Sequence, residues 1–267
     1  MPMNRISEDL NMTWATASDA TEIYFEDTGG HGPALVFQSG FMGIHDIWKY
    51  QVAGLKSDFR CITHDNRGYG LSGHPEQSSS YSIEANADDL KAVLDACAIT
   101  QPFLLVCHSF GSATAIAFAL KYPELVKGIM MVAGAAISGD VIRSRGGHAD
   151  MFAVQHRTPS ASLKFFKNLG LEESIALEAG KWSRHVFRHQ TAAILDFVPG
   201  DALSKISIPV LVAHSPQDVV APMRVPEGNV GMLPNARLHV LEGLNHFPQT
   251  QNPEAVNALI EEFHKQL

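Results

Sequence analysis

Short apolar runs recur along the chain, and each of them stops abruptly at small or polar residues. The runs are residues 35–37, 59–63, 103–106, 129–133, 209–213 and 237–241. Strands that are buried on both faces of a parallel sheet are apolar throughout, so these runs predict six such strands. In an open sheet of this kind, catalytic and ligand-binding groups gather at the carboxyl ends of the strands.

Helix-length segments lie between several of these strands. In residues 82–98 apolar side chains recur at spacings of three and four, which indicates an amphipathic helix with Ser82 as its N-cap. Residues 110–122 are rich in alanine and stop before a proline, and residues 252–267 place Pro253 in a first helical turn. Strands that alternate with helices predict an α/β protein with a mostly parallel sheet.

The start of the chain follows a different pattern. Residues 12–27 contain two extended runs, and Ser18 and Asp19 supply a turn between them. This arrangement predicts an antiparallel hairpin at the edge of the sheet.

Between residues 136 and 200 the alternation stops, and no convincing strand is found. The stretch is helix-like and rich in large apolar side chains: Met151, Phe152, Phe165, Phe166, Trp182, Phe187 and Phe197. At about 65 residues it is too long for an ordinary loop. We predict a helical cap over the strand ends, inserted between two parts of an α/β core, residues 1–135 and 201–267. The alternative is that these helices continue the layers of the core.

Composition and charge exclude several functional classes. The 267 residues are 45% hydrophobic and 18% charged, which is typical of a globular protein rather than a disordered one. The net charge of −8 and the lack of a basic stripe argue against a nucleic-acid partner. No stretch reaches the roughly 20 apolar residues of a membrane span. We predict a monomer or homodimer that acts on a small molecule, with neither membrane nor nucleic acid as a partner.

The cysteines indicate the compartment. Cys61, Cys97 and Cys107 lie in apolar runs, and three cysteines cannot all pair. We therefore predict buried thiols in a reducing compartment. The first residues also lack the apolar segment of a secretory signal, so we expect a cytoplasmic location.

The strongest chemical signal is the segment 106–111, VCHSFG, between a buried strand and an alanine-rich helix. A nucleophile elbow is a tight turn from strand to helix, with small residues two positions before and after the nucleophile. Gly111 satisfies the second position, whereas Cys107 stands where glycine is usual. The segment predicts that Ser109 presents its hydroxyl at the helix N-terminus. An ordinary strand-to-helix turn is the alternative.

Two further polar segments also follow strands. They are residues 215–218, SPQD, and residues 243–247, GLNHF. Together with Ser109 they place a nucleophile, an acid (Asp218) and a histidine (His246) in that order along the chain, each at a strand end. Asp140 follows the strand at residues 129–133 and is a rival for the acid.

On these segments the chain resembles the α/β-hydrolase fold family over nearly its whole length. The matching residues are 39–41, 65–72, 108–111, Asp218 and His246. The resemblance implies an eight-stranded, mostly parallel sheet flanked by helices, with a helical cap after the sixth strand. It also implies that the backbone N–H groups of Phe41 and Phe110 form an oxyanion hole. Ser39 stands where the family usually carries histidine, and Ser215 where glycine is common.

The resemblance and the residue types predict the reaction. A serine hydroxyl is a weak nucleophile and needs an adjacent base, which His246 supplies while Asp218 orients it. We expect hydrolysis of a carboxylic ester or lactone of a small, mainly apolar molecule, without a metal or cofactor. The substrate-binding residues that we predict are Met42, Phe152, Phe166, Trp182, Val219 and Phe247.

Other chemistries remain open at this point. The same fold and triad support C–C bond hydrolysis, perhydrolysis and cyanohydrin cleavage. A small-molecule receptor that retains the triad is the non-enzymatic alternative. A serine nucleophile argues against the dehalogenase and epoxide-hydrolase members of the family, which attack with aspartate.

Several polar residues near these segments are predicted to be structural. His108 flanks the nucleophile and is expected to point into the core. His64 and His214 close strands, and Asp65 and Arg67 are expected to hold a turn together rather than to touch substrate.

Overall fold

The structure is a computed structural model that describes residues 13–41, 43–144, 159–179, 181 and 183–267. Eight strands form one sheet: β1 Thr13–Thr16, β2 Glu22–Asp27, β3 Ala34–Gln38, β4 Arg60–His64, β5 Phe103–His108, β6 Val126–Val132, β7 Val210–His214 and β8 Ala236–Val240. Their order across the sheet is β1-β2-β4-β3-β5-β6-β7-β8. Strands β3 to β8 run parallel, and β2 is antiparallel to both β1 and β4. The predicted eight-stranded, mostly parallel sheet is therefore confirmed.

The sequence predictions hold at one edge of the sheet and fail at the other. The predicted N-terminal hairpin is β1 and β2, at one edge, and its turn contains Ala20 with a φ of +64°. At the other edge, the prediction of burial on both faces is wrong for β8. That strand has one neighbour, and each of its five residues is at least partly exposed.

Helices pack on both faces of the sheet. Those in the described residues are α1 Lys49–Leu55, α2 Ile83–Ala96, α3 Gly111–Lys121, α4 Gly139–Ser144, α5 Pro159–Asn168, α6 Glu173–Ala179, α7 Arg184–Asp196, α8 Arg224–Met232, α9 Pro248–Gln251 and α10 Pro253–Lys265. The predicted N-cap of α2 is confirmed, since Ser82 Oγ accepts the N–H of Ala85 at 2.9 Å. Asn252 caps α10 in the same way, and Pro253 follows it as the first helical residue.

Two apolar cores cover the two faces of the sheet. Because successive side chains of a strand point to opposite faces, neighbouring residues of β3 belong to different cores. Val36 packs in one core with Leu90 of α2, and Phe37 packs in the other with Trp48 and Ile260 of α10. The strand ends are thus held in a sheet that is buried on both faces at its centre.

Between β6 and β7 the described residues form the helices α4 to α7 and no strand. Gln190 of α7 donates to the carbonyl of Arg67 at 3.3 Å, which joins this part of the chain to the loop after β4. Glu172, between α5 and α6, accepts hydrogen bonds from Lys49 and, at 2.6 Å, from the hydroxyl of Tyr50. These contacts dock the helical segment on the strand-bearing part at two places.

The three cysteines are free and buried, as predicted. Burial raises the pKa of the Cys107 thiol to about 12. In the part of the chain that the structure describes, no helix combines the length and apolarity needed to cross a bilayer.

Candidate active site

Ser109 lies in the tight turn between β5 and α3. Its φ of +51° is in the left-handed region, which residues other than glycine seldom adopt. The turn is held by the neighbouring strand: the Ser109 N–H donates to the carbonyl of Val132 at 3.2 Å, and its carbonyl accepts the N–H of Ala135 at 3.1 Å. The backbone of β6 and of the residues after it therefore fixes the conformation of this serine.

Glycine is needed at Gly111 in this turn and at Gly40 in the loop after β3, because the two backbones meet there. A Cβ on Gly111 would lie 2.7 Å from the carbonyl oxygen of Ser39, and one on Gly40 would lie 2.7 Å from that of His108. Both distances are shorter than real Cβ contacts. The elbow and the loop after β3 are thus packed backbone against backbone.

Cys107, at the position where glycine is usual, fits without opening the elbow. It is fully buried, and its thiol lies 3.8 Å from the hydroxyl of Ser112 in the first turn of α3. A small side chain is therefore accommodated here.

His246 lies between Ser109 and Asp218. Its Nε2 is 3.0 Å from Ser109 Oγ, and its Nδ1 is 2.8 Å from Asp218 Oδ2. All three residues are buried, with exposures of 3–4%. The rival acid, Asp140, is exposed and accepts hydrogen bonds from Ser138 and Val141 instead. The structure thus brings together the three predicted residues, which lie far apart in sequence.

The Asp218 carboxylate is held by two backbone N–H groups and by His246. Its Oδ1 accepts the N–H groups of Val220 at 2.8 Å and Ala221 at 3.0 Å, and its Oδ2 lies 3.6 Å from Nε2 of His214. Burial by itself raises the pKa of Asp218. The attraction of His246 and the hydrogen bonds from His246 and Ala221 outweigh burial, so the pKa lies below its usual range. The carboxylate therefore faces the imidazole as an anion at neutral pH.

His108 is buried, as predicted, and it supports the segment that carries His246. Its Nε2 lies 2.8 Å from the carbonyl oxygen of His246, and its ring stacks on Phe247 with centroids 4.8 Å apart. Burial, reinforced by repulsion from His246, lowers the pKa of His108 to about 3. The ring is therefore neutral, and because a carbonyl only accepts, its Nε2 carries the proton.

The loop that leads to Phe41 is braced from two sides. Ser39 Oγ accepts the indole N–H of Trp48 at 3.1 Å and donates to the carbonyl of Ile44 at 3.0 Å. From the other side, Asn66 Nδ2 donates to the carbonyls of Ser39 at 3.2 Å and Gly40 at 2.9 Å. A serine in place of the family's usual histidine therefore takes part in holding the loop.

Aromatic rings surround the predicted backbone donors. The rings of Phe41 and Phe110 meet edge to face, with centroids 6.3 Å apart. Phe41 also contacts Phe187 of α7 at 5.3 Å and Tyr69 at 6.5 Å. A cavity of about 20 Å³ adjoins Phe41 and Phe110, enough for an ordered water molecule.

The predicted substrate-binding residues fall into two groups. Met42, Phe152 and Trp182 lie outside the described residues. Phe166 and Phe247 are buried and pack against each other with centroids 6.2 Å apart, whereas Val219 is 72% exposed beside Asp218. None of these three described residues lines the small cavity.

The carboxamides that line this cavity were not predicted from the sequence. Asn86 and Gln190 face each other at 3.4 Å, and Asn66 lies beside them in the lining. Asn66 belongs to the segment 65–72, so a polar side chain two residues after a strand was an available signal. Gln190 gives no such signal, because its contact arises only when α7 folds onto the core.

Comparison with known proteins yields one family. A family model described as alpha/beta hydrolase fold matches residues 33–155. The chain is similar to a putative carbamate hydrolase, RutD, of Caulobacter sp., with 27% identity that covers 90% of this chain and 95% of the relative. It is also similar to a bifunctional esterase/perhydrolase of Acinetobacter calcoaceticus, with 24% identity that covers 92% of this chain and 97% of the relative.

A solved structure shares the fold. The esterase from Exiguobacterium antarcticum superposes with a TM-score of 0.81 at 23% identity, covering 95% of this chain and 99% of the esterase. At this identity the likeness concerns the fold alone. The family model, the relatives matched along their length and the shared fold show that the chain has the α/β-hydrolase fold, and they support a hydrolase activity.

Proposed function

We propose that the protein is a serine hydrolase that cleaves a carboxylic ester or lactone of a small, mainly apolar molecule through an acyl-enzyme intermediate. The observation that carries the proposal is the relay in which His246 lies 3.0 Å from the Ser109 hydroxyl and 2.8 Å from the Asp218 carboxylate. Both distances are within the hydrogen-bond reach that proton transfer requires.

In the proposed reaction, Ser109 Oγ attacks the carbonyl carbon while His246 Nε2 takes its proton. Asp218 keeps the proton of Nδ1 in place and stabilises the imidazolium that forms. His246 then gives its proton to the leaving oxygen, the C–O bond breaks, and the acyl group remains on Ser109. A water molecule, deprotonated by the same imidazole, hydrolyses the acyl-enzyme and restores the serine.

The negative oxygen of the tetrahedral intermediate needs donors that are already in place. We assign these donors to the backbone N–H groups of Phe41 and Phe110. The support is the bracing of the loop by Ser39 and Asn66, which fixes its backbone before substrate arrives. Preorganised donors of this kind are each worth about 2.7–4 kcal/mol of barrier.

The apolar substrate class rests on the rings around these donors. Phe41, Phe110 and Phe187 place three aromatic side chains next to the proposed oxyanion hole. Phe187 belongs to α7, so we propose that the helices between β6 and β7 form a cap over the site. Medium-chain or aromatic esters should therefore turn over faster than short charged ones.

A panel of p-nitrophenyl esters and lactones tests this function. Ser109→Ala should lower kcat by about 10⁵–10⁶-fold, as loss of the nucleophile does in other serine hydrolases, with an unchanged circular dichroism spectrum. Equal rates in the two proteins would assign the chemistry to another residue.

Covalent labelling gives an independent test. A fluorophosphonate should modify the wild-type protein on Ser109, as located by mass spectrometry, and it should leave Ser109→Ala unmodified. Labelling at a different serine would contradict the proposal. A receptor that retains the triad would show at most a single turnover in the ester assay.

Perhydrolysis is a second candidate, favoured by the similarity to a bifunctional esterase/perhydrolase along most of both chains. In that reaction hydrogen peroxide replaces water in the attack on the acyl-enzyme, and a peracid leaves. With acetic acid as the acyl donor, water leaves when the acyl-enzyme forms, so formation of peracetic acid and water from acetic acid and hydrogen peroxide, lost in Ser109→Ala, would add this activity to the first.

A further inference from the structure

The acid and the histidine of the proposed relay are carried by two separate loops. The acid loop, residues 215–221, follows β7, and the histidine loop, residues 243–247, follows β8. Since β8 is a partly exposed edge strand, the sheet alone holds the second loop weakly. The distance between Asp218 and His246 therefore depends on contacts that join one loop to the other.

One of these contacts lies at the root of the acid loop and is shielded from solvent on the side of Ser215. Ser215 is fully buried, and its hydroxyl donates to the carbonyl of Leu244 at 2.5 Å. The same oxygen accepts the N–H of Gln217 at 3.3 Å. The hydroxyl thus joins its own loop to the histidine loop two residues before His246.

Two other side chains join the loops nearer to solvent. Gln217 Oε1 accepts the N–H of Gly243 at 3.0 Å, and Asn245 Oδ1 accepts the N–H of Val219 at 3.4 Å. Gln217, Gly243 and Val219 are all exposed. Water competes most for exposed hydrogen bonds, and it competes less at the Ser215 contact, because Ser215 is fully buried and Leu244 is half-buried. The Ser215 contact is therefore the strongest of the three.

We propose that Ser215 is a positioning residue, whose hydroxyl holds the acid and histidine loops at the separation that lets Asp218 orient His246. The proposal rests on the proposed function. Ser215 stands where the resembling family commonly has glycine. Glycine offers no side-chain donor, so it cannot make this hydrogen bond. Misplacement by about 1 Å can cost 10²-fold in rate, so a loop contact at this place can control kcat.

The test begins with Ser215→Ala and p-nitrophenyl butyrate. We expect kcat to fall by about tenfold with KM nearly unchanged, because the loss concerns orientation of the base rather than substrate binding. Ser72→Ala is the matched control. Ser72 is also buried, donates to the carbonyl of Asp65 at 2.7 Å and accepts the N–H of Tyr24 at 2.9 Å, in another part of the molecule. Its kcat should stay within about twofold of wild type.

A double-mutant cycle separates positioning from a merely structural role. Ser215→Ala is combined with Asp218→Asn, and the rate of fluorophosphonate labelling of Ser109 is measured in the four proteins. If Ser215 acts through Asp218, its substitution should slow labelling about tenfold in the wild-type background and little in Asp218→Asn. Equal slowing in both backgrounds, or equal losses of kcat in Ser215→Ala and Ser72→Ala, would overturn the proposal.

Two outcomes remain distinct from one another. If the wild-type protein neither hydrolyses the ester nor reacts with the fluorophosphonate, the proposed function fails and this inference fails with it. If the wild-type protein is active and Ser215→Ala matches it, only the positioning role is wrong. Should Ser215→Ala fold poorly, Ser215→Gly, which carries the residue common in the family, removes the same hydroxyl and enters the same cycle with the same expected result.

Discussion

The two halves of the proposed active site are held in place by different means. Ser109 lies at the centre of the sheet, where the backbone of β6 and of the residues after it binds both polar groups of its peptide unit. His246 follows the edge strand β8 and depends on single contacts from side chains, chiefly those of Asp218, His108 and Ser215. We call Ser109 and the segments that follow β3 and β4 the sheet-held half, because sheet and backbone fix it. The acid loop and the histidine loop form the loop-held half, which polar side chains fix.

This difference determines what each half tolerates. In the sheet-held half, polar side chains matter less than the space between backbones, so added atoms should do the most damage. In the loop-held half, the space is less restrictive and each hydrogen-bonding group helps to set the geometry. Removal of one acceptor or donor should therefore lower kcat.

Removal of the acid should have the largest effect. Asp218→Asn keeps the shape of the side chain but cannot hold the imidazole in the required tautomer, so on the proposed function kcat should fall by about 10⁴-fold, as it does for the same change in a serine protease. Ester hydrolysis under saturating substrate measures the loss.

The rival acid serves as the control for this variant. Asp140 is exposed and bonded to Ser138, so Asp140→Asn should leave kcat within about twofold. A large loss in Asp140→Asn together with a small one in Asp218→Asn would exchange the roles of the two carboxylates.

Gly111→Ala, which adds volume in the sheet-held half, should have the next largest effect. A methyl group at Gly111 would lie 2.7 Å from the backbone oxygen of Ser39, and no side-chain movement can relieve that contact. Gly111→Ala should therefore lower the free energy of unfolding by about 3 kcal/mol, at the upper end of the cost of overpacking. Urea denaturation measures the change.

Gly228→Ala is the matched control for added volume. Gly228 lies in α8, and a Cβ there meets nothing within 4 Å. This alanine should stabilise the protein by about 0.5–1 kcal/mol, since it lowers the conformational entropy of the unfolded chain. Equal effects at the two glycines would show that backbone contact does not govern the elbow.

Sequence alone predicts more of the sheet-held half than of the loop-held half, for a physical reason. Apolar runs identify the strands locally, and because parallel strands end at one edge of the sheet, Ser109, Asp218 and His246 can be expected there before any contact is known. The exposure of β8 could not be predicted, since it depends on the order of strands across the sheet. The contact from Ser215 to Leu244 joins residues of two different loops, and no local pattern encodes it.

The same limit applies to the substrate pocket. Aromatic content in the helices between β6 and β7 suggests an apolar lining, and Phe187 of α7 does contact Phe41. Phe166 has the same composition signal but is buried against Phe247. Which aromatic residue faces the site and which faces the core depends on how the helices dock, and the sequence does not specify it.

Asn66 is an intermediate case, a polar side chain that braces the sheet-held half. Asn66→Ala removes the donor to the carbonyls of Ser39 and Gly40. The proposed oxyanion donor follows directly, so we expect kcat to fall by about tenfold, equivalent to one lost hydrogen bond of about 1.4 kcal/mol. Steady-state hydrolysis of a p-nitrophenyl ester measures it.

Asn257 provides the comparison for this asparagine. Its Nδ2 also donates to a backbone carbonyl, that of Tyr50 at 3.3 Å, but on α10 and away from the loop. Asn257→Ala should leave kcat within about twofold. A loss of the same size in both variants would mean that Asn66 contributes general stability rather than the placement of the loop.

Lowering the pH should have the smallest effect, and this effect should be a loss of stability in the sheet-held half. Burial lowers the pKa of His64, at the end of β4, to about 4, while the same side chain in the unfolded chain has its ordinary value of 6.5. Below pH 6.5 the unfolded chain therefore binds a proton at this histidine that the folded protein does not bind. The corresponding stability is complete above that pH and is lost as the pH falls towards 4.

The matching variant is His64→Gln, which keeps a hydrogen-bonding side chain but does not titrate. Between about pH 7.5 and pH 5.5 the free energy of unfolding of the wild-type protein should fall by about 1 kcal/mol more than that of the variant. His239→Gln, which replaces an exposed histidine of β8, is the matched control. Parallel curves for wild type and His64→Gln would mean that this buried histidine takes up its proton as readily in the fold as in the open chain. Acid would then weaken the protein through other groups, of which Asp218 in the loop-held half, whose pKa lies below its usual range, is the first to test.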